Sequence, residues 1–139
     1  MERLVLQYQS LEKALKTLDF ALNYPKSDDP NLVIFHRDAL IQRFEYCYDL
    51  AWKYLKEYLR VRYGLEVRSP KAVFQECLKQ ELVNESETKG LLDVVDARNL
   101  STHLYHEETA LALSEQIPVY AKLLKEVILR AKPFVASVE

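Results

Sequence analysis

With 139 residues, the chain has the length of one domain, and its 49% apolar content is enough to bury a continuous core. Two glycines and five prolines leave little material for the tight turns of an all-β fold. A formal net charge of −2 and a pI near 6.0 exclude the broad basic surface on which non-specific nucleic-acid binding depends. Any contact with RNA would have to be local.

The first element is predicted from Leu4, Tyr8, Leu11, Leu15, Leu18 and Leu22. Steps of four and three put all six on one stripe of an α-helix. That helix should stop near Asn23, because Pro25 and Pro30 bracket the polar stretch Lys26-Ser27-Asp28-Asp29. A second helix is predicted from about Leu32 to Tyr63, with Gly64 as its C-terminal stop. At ~1.5 Å per residue it would span roughly 48 Å. Its stripe reads Ile41, Phe44, Tyr48, Trp52, Leu55 and Leu59, and a second apolar flank carries Leu40, Cys47, Leu50, Tyr54 and Val61. Cover on two sides calls for several neighbours.

Ser69-Pro70 is a cap and first-turn pair, opening a short helix with Phe74 and Leu78. Asn84-Glu85-Ser86-Glu87 has capping-box spacing and opens a helix reaching Tyr105. Glu107 and Glu108 suit the start of a last helix, in which Pro118 predicts a kink. The expected fold is all-α: one domain over 1–139, an antiparallel up-down four-helix-type bundle with an extra short helix. Cys47 and Cys77 read as small core residues of a reducing compartment. An amphipathic N-terminus and the lack of any 18-residue uncharged apolar run predict a cytoplasmic chain without signal peptide or membrane span.

Chemistry is most concentrated in Arg98-Asn99-Leu100-Ser101-Thr102-His103-Leu104-Tyr105. Asp96, Asn99 and His103 are spaced i, i+3, i+7, which places them within a ~60° sector of a helix. Arg98 lies ~140° from His103 on an ideal helix, so their side-chain roots diverge unless Arg98 reaches around or two copies meet across a two-fold axis. His103 is suited to proton transfer near neutral pH, Arg98 to phosphate oxygens, and Asn99 to orienting a hydroxyl or the imidazole. The set suits metal-independent RNA cleavage or nucleotide binding. The plainer alternative pairs Arg98 with Asp93, Asp96 or Glu87 and makes His103 an interior or interface residue.

Other candidates are weaker. His103 and His106, three apart, suggest a metal site only faintly, and no metal or cofactor is expected. Glu45, Asp49 and Lys53 step by four and read first as a solvated or inter-helix salt-bridge face, next as a partner-binding or groove-lining face. Trp52 and Tyr46, Tyr48, Tyr54, Tyr58 and Tyr63 read first as core and interface, next as base-stacking groups.

The Arg98–Tyr105 run resembles the R-x4-H-x-Y signature of HEPN-superfamily proteins, in particular the HepT-like group. Phe44-Glu45-Tyr46-Cys47-Tyr48-Asp49-Leu50-Ala51-Trp52-Lys53 resembles the long-helix motif of the nucleotidyltransferase substrate-binding protein family within that superfamily. The resemblance implies a helical homodimer, open to higher assembly, and a partner chain that is a minimal nucleotidyltransferase. It implies one of two roles. The chain is the substrate-binding or target subunit of a two-component nucleotidyltransferase, with Asp96, Arg98, His103 and Tyr105 at a nucleotide site. Alternatively it is an RNase toxin using Arg98, Asn99 and His103, silenced by adenylylation of Tyr105. The chain has no Gly-rich phosphate loop or paired-Asp signature of its own for nucleotidyl transfer. That chemistry would come from the partner.

Overall fold

The computed structural model describes the backbone of residues 1–103 and 106–134, and the side chains of 1–100 and 106–134. Five helices follow in order: α1 (Glu2–Leu22), α2 (Pro30–Tyr63), α3 (Pro70–Lys79), α4 (Glu85–His103) and α5 (Glu107–Arg130). The four long ones form the bundle, and α3 is the extra short helix. α1 lies along α2, α2 along α5, and α4 along α5, while α3 bridges α4 and α2.

Local chemistry sets the boundaries. Leu4, Tyr8, Leu11, Leu15 and Leu18 are buried on one stripe, and α1 ends at Asn23 as expected. α2 begins two residues earlier than predicted. Pro30 is its first residue rather than a breaker, because the Asp29 side chain caps the helix by accepting from the Asn31 N–H at 2.9 Å. The same cap-and-proline logic opens α3, where Ser69 Oγ accepts from the Ala72 N–H. Gly64 closes α2 with φ +69°, a left-handed backbone that glycine adopts without a Cβ penalty. Its N–H donates to the Arg60 carbonyl, the five-to-one closure of a left-handed cap, and the following Leu65 N–H donates to the Leu59 carbonyl.

α4 opens on a reciprocal box. The Glu87 N–H donates to Asn84 Oδ1 at 2.8 Å and the Asn84 N–H donates back to Glu87 Oε1 at 3.0 Å. Glu87 also takes two bonds from Arg130 at the end of α5, at 2.8 and 2.7 Å. These contacts, Arg130 first and the Asn84 N–H second, hold its carboxyl below the ordinary value. A depressed carboxyl contributes stability above its unfolded pKa and loses it as pH falls through the folded value. Glu87→Ala is therefore expected to cost about 1 kcal/mol at pH 7. In urea titrations the gap to wild type should close as pH drops below about 4.5; a gap independent of pH would refute the assignment.

The core draws on all five helices: Phe44, Leu55 and Leu59 of α2 lie in one buried cluster with Leu11 and Leu18 of α1, Phe74 of α3, Leu91 of α4 and Ile117 and Leu124 of α5. The Tyr54 hydroxyl donates to the Ala131 carbonyl, tying the end of α5 to the middle of α2. Cys47 and Cys77 are free and buried, and burial pushes both thiols up to about 12. Among the described residues no helix is long and apolar enough to cross a membrane.

Candidate functional site

α4 packs against α5 and α3, and Leu91, Val94 and Val95 on it are buried. Its only glycine is a contact point: a Cβ at Gly90 would stand 2.8 Å from Leu123 Cδ2 of α5. Arg98 follows Val94 by four and Val95 by three, so its stem starts at the edge of that buried stripe. Its guanidinium turns out of the core toward α2. There Nη2 lies 3.5 Å from Asp49 Oδ2, and Nη1 lies 3.8 Å from Glu45 Oε2.

Glu45 and Asp49 belong to a longer edge of α2. Arg37, Ile41, Glu45 and Asp49 recur every four residues. Arg37, with its side chain 12% exposed, meets Glu107 of α5 at 3.4 Å. The polar seam thus takes Arg37, Glu45 and Asp49 from α2, Arg98 from α4 and Glu107 from the start of α5. The four-residue repeat around Ile41 is the sequence signal for Arg37, a residue that lies outside the family-like motifs.

Asp49 and Glu45 do act as an inter-helix ion-pair face, and Arg98 is their partner. Its expected local alternatives are engaged elsewhere: Asp93 with Lys89 at 3.8 Å, Glu87 with Arg130, and Asp96 with Lys71 at 2.8 Å. Asp96 is largely exposed and is drawn toward the start of α3. Asn99 is exposed one turn beyond Asp96. Arg98 therefore faces the seam, whereas Asp96 is tied to Lys71. The side chain of His103 and all of Tyr105 lie outside the described residues. His106 is the exposed N-cap residue of α5 and makes no side-chain cap.

Contacts of 3.5 and 3.8 Å are longer than the 2.7–2.9 Å of a tight charge-assisted bond. Toward α2, charge holds Arg98 at these longer distances. Beneath the seam lies Tyr48, 3% exposed, whose hydroxyl has no hydrogen-bond partner among the described residues. Burial pushes this phenol up to about 12; Asp49 adds to the rise and Arg98 opposes it. It is a neutral hydrogen-bonding group at physiological pH. Of the other tyrosines, Tyr54 and Tyr58 are core residues, while Tyr46 and Tyr63 are exposed.

Long helices packed side by side, with a charged seam between α2 and α4, define the class: an all-helical bundle protein. The chain belongs to the nucleotidyltransferase substrate binding protein-like family, whose sequence profile matches residues 6–132. It is similar to a Thermus thermophilus protein known from a crystal structure. That protein is 39% identical, with 88% of this chain and 99% of the other aligned at a TM-score of 0.77. No curated protein matches the chain.

Proposed function

We propose that this chain is the HEPN-type substrate-binding or target subunit of a separate minimal nucleotidyltransferase, acting as a homodimer. The observation that carries this reading is membership of the family over residues 6–132. The seam supports it, since it places the Arg98 guanidinium, a fork of donors that matches phosphate oxygens, at the α2–α4 boundary. Arg98 supplies donors for a phosphate group, Asn99 orients a hydroxyl or the imidazole, His103 moves a proton, and the Tyr105 oxygen loses its proton and takes AMP from ATP as pyrophosphate leaves. A two-fold dimer would bring two such segments together and overcome the ~140° divergence of Arg98 and His103. Adenylylation of Tyr105 would add bulk and negative charge two residues from His103, an off-switch for whatever the imidazole does.

The test is co-expression with a nucleotidyltransferase encoded beside it. The two chains should purify together, and ATP should add the mass of AMP to wild type but not to Tyr105→Phe. Failure to associate at micromolar concentrations would refute the proposal. RNA cleavage by the chain alone, insensitive to chelator and lost in His103→Ala, would replace it with the RNase reading.

A further inference from the structure

Tyr48 poses a problem that its role in the core leaves unsolved. Its ring fills the α2 stripe between Phe44 and Trp52, a task phenylalanine would perform equally well. The hydroxyl is buried without a partner among the described residues, and an unsatisfied buried donor is costly. Tyr48 follows Glu45 by three on α2 and so lies one turn along the same side of the helix, beside the carboxylates that Arg98 contacts.

We propose that the Tyr48 hydroxyl is a ligand-binding group of the α2–α4 seam, donating to an anionic phosphate oxygen that engages Arg98. This rests on the nucleotide-site reading above and names a residue which that reading does not contain. Chemistry gives the phenol a reason to be there. A phosphate approaching Arg98 also approaches the carboxylates of Glu45 and Asp49, which repel it. A neutral donor adds a bond to the phosphate without adding charge to the ion-pair network, and at physiological pH the phenol keeps its proton. A phosphate oxygen would give the hydroxyl the acceptor that the described residues do not provide.

The probe is ATP, titrated calorimetrically into wild type, Tyr48→Phe and Arg98→Ala, with the melting temperature of each recorded. Tyr48→Phe should bind ATP about tenfold more weakly while melting no lower than wild type, because it loses only an unsatisfied hydroxyl. A purely structural tyrosine would leave affinity unchanged. If Arg98→Ala loses ATP and Tyr48→Phe binds like wild type, the seam stands and this proposal falls. If wild type does not bind ATP, or Arg98→Ala binds as well as wild type, the nucleotide-site reading falls and this proposal with it. A Tyr48→Phe variant that weakens binding only in proportion to a lowered melting temperature also refutes it.

Discussion

Arg98→Ala is expected to weaken ATP binding by roughly 30- to 1000-fold, the equivalent of about 2–4 kcal/mol for removing a charged donor from a partly buried site. The side chain is only 21% exposed, so water replaces its interactions poorly. Its fork presents several donors in a fixed plane, and a phosphate accepts two of them at once. Arg98→Lys therefore separates charge from geometry. Lysine should recover the long-range attraction but less than half of the lost binding energy, because a single ammonium cannot reproduce the fork. The effect on folding should be smaller. Removing Arg98 leaves Glu45 and Asp49 one helical turn apart with like charge, a cost of about 0.2–0.5 kcal/mol. Equal binding by wild type and Arg98→Ala would show that Arg98 serves only to fasten α4 to α2.

Phe44→Ala should have the largest effect on stability. Phe44 is fully buried, and its ring centroid stands 5.8 Å from that of Tyr120 of α5. Truncating a buried phenylalanine costs about 3–5 kcal/mol, through lost transfer energy and the cavity left behind. Domains of this size have about 5–15 kcal/mol in total, so the variant would keep a reduced margin. A fall in melting temperature of roughly 10 °C or more is expected by calorimetry. The position also bears on function, because Phe44 precedes Glu45 and lies one turn before Tyr48. Loosening it should relax the seam as well as the core. A cost below about 1 kcal/mol would mean that the cavity collapses freely and that the α2–α5 contact is not the centre of the bundle.

The two substitutions probe different levels of organisation. One removes a charged group at a seam that folding leaves partly open to water. The other removes an apolar group on which the alignment of α2 and α5 depends. Double replacement should be close to additive in stability if the two are independent. A surplus loss would show that the seam is held in register by the core beneath it.

Much of this architecture is legible in the residues. The leucine stripe of α1, the Ser69-Pro70 start of α3, the Asn84–Glu87 box and the Gly64 stop are local signals, each complete within a few residues. Local hydrogen bonding and backbone sterics read them the same way in any context. Asp29-Pro30 is equally local, but a proline breaks a helix or opens one depending on the residue before it. Here the Asp29 cap makes it an opening, which places the start of α2 ahead of the expected Leu32. The family-like segment Phe44–Lys53 and the run from Arg98 are visible too, as is the ion-pair character of Glu45 and Asp49.

Which charge meets which is a different matter. Arg98 has carboxylates nearer in sequence at Asp96 and Asp93, yet it contacts residues 53 and 49 positions away on α2. Asp96 turns instead to Lys71, and Arg37 finds Glu107, 70 positions along the chain. Long flexible side chains pair with whatever the helix alignment brings within reach, and that alignment follows from core shape and not from charge spacing along one helix. Local sequence was enough to determine the helices, their caps and the stripe each buries. Only the tertiary structure decided that Arg98 meets Glu45 and Asp49 in one seam, because that depends on how α2, α4 and α5 pack and not on spacing along any one of them.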